Sequence, residues 1–273
     1  MRLKVGIIGF GNMGSAIAER IKKDYPVLVV DKDKAKTNGL KVITVVDRPL
    51  DLVRNSDIVI IAVKPQDIAG LLAEIKDVVC EKIVISIAAG ITTSYIEGIL
   101  AGVRLIRAMP NLPARIGQGI TCICKGKRVL DRDLKQALRI FSFLGKVLVV
   151  KEKMMNAVTA VSGSGPGFWA YLVESLPQDD WVRYSHKEFC PQLKDAAKKL
   201  GFSHRYASIL ATATMRGCLA VVKSWKITPQ QLKALVASKG GTTEAGLRVL
   251  EKGGTLVEAV QAACKRAEEL SGG

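Results

Sequence analysis

Acidic residues are in short supply in this sequence. Only 25 Asp and Glu stand against 41 Lys and Arg, which leaves a formal charge of +16 over 273 residues. The bases are spread along the chain, with no long block and no aromatic-interleaved basic segment. The excess therefore reads as a solvated basic surface that attracts anionic ligands, and a nucleic-acid partner is not expected. Aromatic residues make up 5% of the chain, and histidine occurs twice, as His186 and His204, outside any motif. Cys80, Cys122, Cys124, Cys190, Cys218 and Cys264 include no CxxC pair. That argues against a zinc ribbon or a disulfide framework and for free thiols in a reducing cytoplasm; no metal is expected. The longest apolar run, near Ile83–Ile91, is far too short to span a bilayer, so no membrane partner is expected. Arg2 and Lys4 precede an apolar stretch in the manner of a signal peptide, but Glu19 and Arg20 follow directly and export is not expected.

What is present is a globular composition, 48% hydrophobic and 24% charged, on a chain long enough for one large domain or two ordinary ones. The first half alternates apolar runs with helical stretches: Lys4–Gly9, Val27–Asp31, a weak run at Val42–Val46, Asp57–Ala62, Lys82–Ser86, Arg104–Met109, Gly119–Ile123 and Lys146–Val150. Asp57–Ala62 and Lys82–Ser86 lack polar alternation, as expected of strands buried on both faces of a parallel sheet. Beyond about residue 151 the pattern becomes helical throughout, with capped starts at Thr228 before Pro229 and at Thr255 with Glu258. The expected fold class is α/β: an N-terminal dinucleotide-binding domain of the Rossmann type over 1–151, followed by an all-helical domain over 152–273.

The dinucleotide expectation rests on Gly9-Phe10-Gly11-Asn12-Met13-Gly14, a GxGxxG placed directly after a strand and opening a helix. Gly9 permits the tight turn, Gly11 lets backbone approach a pyrophosphate, and Gly14 lets helix and strand pack closely. The phosphates then meet the free N–H groups at a helix N-terminus, to which Asn12 and Met13 belong. Asp31 ends the next strand, about 20 residues on, where an acid bonds the ribose 2′-hydroxyl of NAD and repels the 2′-phosphate of NADP. Lys32 and Lys34 follow it and suit a 2′-phosphate. The two signals conflict: NAD is weakly favoured and NADP stays open, and the plainer alternative is that Asp31, Lys32, Asp33 and Lys34 are simply a solvated turn.

Further motifs in order along the chain carry a family likeness. They are Ala62-Val63-Lys64-Pro65, Ser86-Ile87-Ala88-Ala89-Gly90-Ile91, Arg107-Ala108-Met109-Pro110-Asn111, Ser162-Gly163-Ser164-Gly165-Pro166 and Gly240-Gly241-Thr242-Thr243-Glu244-Ala245-Gly246. With the glycine turn, the set resembles the pyrroline-5-carboxylate reductases over nearly the whole chain, and the last two motifs are the specific ones. The resemblance implies reduction of an anionic cyclic imine, 1-pyrroline-5-carboxylate, to L-proline with NADPH or NADH. It also implies a helical dimerisation domain and a homodimer or larger ring of dimers. Ala62, Val63, Lys64 and Pro65 would meet the nicotinamide ribose region, Ala88 and Gly90 would pass close to the cofactor, and Asn111 would line its nicotinamide end. Ser238, Gly240, Gly241, Thr242 and Thr243 would form the substrate loop, with Thr243 at the imine nitrogen as the catalytic group. Taken without the resemblance, Gly240–Thr243 is equally an ordinary glycine turn with a threonine cap.

The chemistry needs few side chains, because the cofactor carries the hydride and the protein positions it. The absence of a histidine in any motif weakens a hydroxy-acid dehydrogenase with a His base. Lys64 is a second candidate acid but reads better as structural or ribose-binding. Three departures from the family pattern stand out. Lys239 replaces the usual Pro before Gly240, Gly167 replaces the usual Ala, and Pro177–Leu193 is extra. Pro177 and Pro191 are expected to break the helix that this segment interrupts, and Trp181, Tyr184 and Phe189 to pack on the protein or a partner. These departures keep two alternatives open: a paralogue reducing another cyclic imine or small carbonyl acid, and a non-catalytic dinucleotide-binding regulator.

Overall fold

In the computed structural model, which describes residues 2–272, the chain opens with β1 (Val5–Ile8), α1 (Asn12–Ile21), β2 (Val27–Val30), β3 (Thr44–Val45), α2 (Pro49–Arg54), β4 (Ile58–Ile61), α3 (Ile68–Ile75) and β5 (Ile83–Ser86). It continues with α4 (Thr93–Ile99), β6 (Arg104–Pro110), β7 (Gly119–Lys125), α5 (Asp131–Ser142) and β8 (Gly145–Val149). The eight strands form one sheet in the order β3-β2-β1-β4-β5-β6-β7-β8. Pairing is parallel from β3 through β2, β1, β4 and β5 to β6. Every residue of β1, β2, β4 and β5 is buried, so these strands have no polar face to alternate with. Chain order reverses between β1 and β4, whose ends are in register at Ile8 and Ile61. Such a switch point opens a crevice at the carboxyl edge of a parallel sheet.

The helical part comprises α6 (Met155–Val158), α7 (Gly165–Val173), α8 (Trp181–Tyr184), α9 (Cys190–Lys199), α10 (His204–Trp225), α11 (Pro229–Val236), α12 (Thr242–Glu251) and α13 (Leu256–Ser271). The expected caps form. Thr228 accepts from the Gln231 N–H, and Thr255 and Glu258 bond each other's backbone N–H. Trp169, Phe168 and Phe189 are fully buried and anchor this core.

The chain divides into two compact units, and the division differs from a single boundary at 151/152. The first unit closes at Met109 and resumes over Thr121–Glu152; the second takes Pro110–Ile120 and then runs from Lys153. The excursion belongs to the helical unit because of its contacts there. Asn111 donates to the Ser162 carbonyl at 3.2 Å, and Pro113 fills the space left by Gly217, where a Cβ would lie 2.7 Å from its ring. No local pattern in Pro110–Ile120 announces contacts so distant in sequence.

The extra segment also corrects an expectation. Pro177 does stand in a break: α7 ends at Val173, and Pro177 is extended, with φ −55 and ψ 144, ahead of a short 3-10 turn. Pro191 does not: α8, a π turn over Ser185–Phe189 and α9 follow one another without a break. The π turn shifts the hydrogen-bond ladder just ahead of Pro191, which occupies the first turn of α9, where a missing N–H costs least. The segment is bonded into the unit. Trp169 Nε1 donates to Ser185 Oγ at 2.7 Å, and the Trp169 and Trp181 rings meet edge to face at 6.0 Å.

Candidate active site

Each unit carries its own candidate residues. In the first, a cleft of about 630 Å³ opens at the ends of β1, β2 and β4. Gly9, Gly11, Asp31, Lys32, Ala62, Val63 and Lys64 line it. Gly9 has φ +98, and a Cβ there would sit 2.6 Å from the Ala62 carbonyl oxygen, so the turn requires glycine. A Cβ on Gly14 would strike the Gly9 carbonyl at 2.0 Å; its absence lets α1 close on the turn. A Cβ on Gly11 would instead meet nothing within 4 Å, so this residue faces open cleft. Asn12 and Met13 begin α1 with no side-chain cap and no acid in the first turn. The uncapped N–H groups, the positive end of the helix and the bare backbone at Gly11 fit a pyrophosphate.

Asp31 is buried at the end of β2. Its carboxylate accepts from the Phe10 N–H at 2.6 Å and the Asp33 N–H at 2.8 Å. Burial alone raises its pKa. The two backbone donors and Lys36 outweigh burial and hold the carboxyl below its ordinary value, so it is ionised at neutral pH. The lysines expected to suit a 2′-phosphate are engaged. Lys32 pairs with Asp67 and Lys34 with Asp47, both at 2.9 Å, and Lys36 lies 3.5 Å from Asp31. Asp47 and Asp67 arrive from other βα segments, which is why a reading confined to Asp31–Lys34 misses them.

Other candidates lie outside the cleft lining. Pro65 starts a short 3-10 turn, Ala88 is buried after β5, and Gly90 turns with φ +76. Asn111, expected at the nicotinamide end, has its side chain held by the protein. It is buried in the second unit, where its amide accepts from the Ile120 N–H at 2.9 Å and donates to the Ser162 carbonyl. Its side chain is spent on holding the excursion.

In the second unit the loop Ser238–Gly241 leads into α12, whose N-cap is Gly241, with no side-chain cap. Gly240 has φ +70, and both sides of it are held: its N–H donates to Glu244, and its carbonyl accepts from Arg266 Nε at 2.9 Å. That grip stands where the family's proline would otherwise fix the loop beside Lys239. The Gly240 N–H and Arg248 hold the Glu244 carboxyl below its ordinary pKa. The Gly241 N–H returns to the Ser238 carbonyl at 2.9 Å, closing the turn. Thr243 is buried and its hydroxyl donates to Ser164 Oγ at 3.1 Å. Ser164 Oγ lies 3.0 Å from the Thr242 hydroxyl. Ser164 and Arg266 were not among the expected site residues; only the Ser-Gly-Ser-Gly-Pro motif gave a signal for the first. The arrangement offers bare helix N–H groups for a carboxylate beside a buried hydroxyl.

Comparison with known proteins agrees with both units. Residues 187–270 match the family model for pyrroline-5-carboxylate reductase dimerisation, and residues 4–90 match that for NADP oxidoreductase, coenzyme F420-dependent. A pyrroline-5-carboxylate reductase of Synechocystis is 35% identical, over 99% of each chain. The Mycobacterium tuberculosis reductase is 34% identical, over 98% of this chain and 96% of its own. The solved Plasmodium falciparum pyrroline carboxylate reductase, with NADP bound, superposes with a TM-score of 0.64 at 30% identity, covering 98% of each chain. With relatives this similar along its whole length, and with the glycine cleft and the threonine loop both in place, the chain belongs to the pyrroline-5-carboxylate reductase family.

Proposed function

We propose that this protein reduces 1-pyrroline-5-carboxylate to L-proline, using NADH or NADPH. The observation that carries the reading is the buried Thr243 hydroxyl at the uncapped start of α12, beside N–H groups suited to a carboxylate. When bound, the reduced nicotinamide supplies the hydride to the imine carbon. The first unit holds the dinucleotide: Gly9–Gly14 and the start of α1 take the pyrophosphate, Asp31 takes the adenosine ribose, and Ala62–Lys64 line the remaining cleft. The second unit holds the anionic imine. Gly240, Gly241 and the first N–H groups of α12 take its carboxylate, and Thr243 Oγ1 bonds the ring nitrogen, which ends the reaction protonated. Lys64 is read as a ribose or structural contact. Copies pair through the helical unit, a reading supported by the dimerisation match over 187–270. A cytoplasmic location is proposed from the scattered cysteines. Among the described residues no helix is long and apolar enough to cross a membrane.

Two features that kept other functions open now weigh less. The extra segment folds into the helical unit, and the loop beside Lys239 is held by Glu244 and Arg266. The test is oxidation of NADH or NADPH by the purified protein with 1-pyrroline-5-carboxylate, and L-proline is the expected product. Cofactor binding without turnover would favour the regulatory alternative; turnover of only another cyclic imine or small carbonyl acid would favour a paralogue.

The cleft also predicts a cofactor preference. An ionised Asp31 opposes a 2′-phosphate, and the lysines around it are already paired. Asp31→Ser removes a repulsion worth about 1–2 kcal/mol at partly screened distances, so the ratio of kcat/KM for NADPH to that for NADH is expected to rise about tenfold. Steady-state kinetics with both cofactors decide it, and an unchanged ratio removes Asp31 as the selector.

A further inference from the structure

Ser164 occupies the joint between a π turn over Thr159–Gly163 and α7, and its side chain is fully buried. Its backbone leaves it little freedom. The Ser164 N–H donates to the Thr159 carbonyl at 2.8 Å, and its own carbonyl accepts from the Gly167 and Phe168 N–H groups. The single hydroxyl of this fixed residue meets two others, Thr243 Oγ1 at 3.1 Å and Thr242 Oγ1 at 3.0 Å. Thr242 and Thr243 are neighbours in the first turn of α12, so Ser164 ties one point of α7 to both.

The methyl side of Thr243 is confined as well. A Cβ on Gly167 would lie 2.5 Å from Thr243 Cγ2, closer than real contacts allow. The missing side chain of Gly167, one helical turn beyond Ser164, is therefore the space the Thr243 methyl occupies. One face of Thr243 rests on Gly167 and its hydroxyl on Ser164, which together select a single rotamer.

We propose that Ser164 is a positioning residue for the reaction, acting through Thr243; the inference rests on the reductase function proposed above. A hydroxyl has one proton and two lone pairs. With its proton given to Ser164, Thr243 Oγ1 presents lone pairs, the complement of a ring N–H. Protonated imine offers that N–H and accepts hydride more readily than the neutral form. Hydride adds to the ring carbon, the C=N π pair passes to nitrogen, and the N–H proton is retained, so the step needs no further reactant. Ser164 fixes both the place and the direction of the group that receives the nitrogen, and a displacement of about 1 Å in such a group costs about a hundredfold in rate.

The test is a double-mutant cycle with Ser164→Ala, Thr243→Val and the pair, read as kcat and as KM for the dinucleotide. Ser164→Ala is expected to lower kcat about tenfold with KM for the dinucleotide within about twofold of wild type. The double variant is expected to match Thr243→Val, because Ser164 has nothing left to position. Additive losses, or a kcat for Ser164→Ala within about twofold of wild type, overturn the proposal while the reductase reading stands. Wild-type protein that leaves the imine unreduced overturns both. If Ser164→Ala does not fold, Ser164→Cys serves instead: a thiol in the same place is a weak hydrogen-bond partner, so kcat is expected to fall with KM for the dinucleotide unchanged, and a kcat within about twofold of wild type is the overturning result there.

Discussion

Thr243→Ala is expected to lower kcat by about a hundredfold while the dissociation constant of the reduced dinucleotide stays within about twofold of wild type. The substitution removes the one buried hydroxyl at the start of α12 that the reading places at the ring nitrogen. A group that orients the reacting nitrogen contributes about two powers of ten, the cost of a misplacement of about 1 Å. The residues read as holding the dinucleotide belong to the first unit and Thr243 to the second, so cofactor affinity is expected to be unchanged. Steady-state kinetics with 1-pyrroline-5-carboxylate, together with a direct titration of dinucleotide, separate the two quantities. A kcat unaffected by the loss of the hydroxyl removes Thr243 from the mechanism and leaves the helix N–H groups as the only contribution of that loop.

Glu152→Ala is expected to destabilise the first unit by about 3–5 kcal/mol, the usual cost of removing one member of a buried ion pair. Arg107 stands on β6 with 2% of its surface exposed, and its Nη1 donates to Glu152 Oε1 at 2.6 Å. Its Nε and Nη2 have no protein partner, so Glu152 carries nearly all of the compensation for that guanidinium. Arginine cannot shed its proton to escape burial. Cys124 adds to the loss, because its thiol donates to Glu152 Oε2 at 2.7 Å. Burial, and then the carboxylate that receives its proton, push the Cys124 pKa above its ordinary value, so the thiol stays protonated and bonded. Glu152→Gln keeps an acceptor for both neighbours and is expected to lose about half as much. Urea unfolding monitored for the first unit measures the difference. Equal stability of Glu152→Ala and wild type would mean that water compensates Arg107 without the carboxylate.

Much of this molecule is written in neighbouring residues. Gly9–Gly14 lies between a strand and a helix, so its function as a turn follows from spacing alone. Thr228 and Thr255 reach N–H groups only three residues away, and sequence shows them as caps. The apolar runs of β1, β4 and β5 are short and unalternated because both sheet faces are covered, a property of each run by itself. Local chemistry also separates the parallel α/β part from the helical part and names the class of cofactor.

What required tertiary structure involves partners that are far apart along the chain. Lys32 and Lys34 look unpaired beside Asp31 until Asp67 and Asp47 come in from other segments to pair with them. Asn111 follows a strand end, and only the folded chain shows its amide bonded to Ile120 and to Ser162, 51 residues away. Pro191 reads as a breaker, and a π turn stabilised through Trp169 and Ser185 accommodates it. Gly167 reads as a lapse from the family's alanine, and the Thr243 methyl fills its place. The sequence by itself determined the order of strands and helices, the glycine turn and the family, because each depends on residue types at short spacing. The assignment of Pro110–Ile120 to the helical unit, the distant partners of the lysines and the Ser164–Thr243 contact were decided only by folding, since hydrogen bonds and close packing depend on distance in space, which spacing along the chain does not encode.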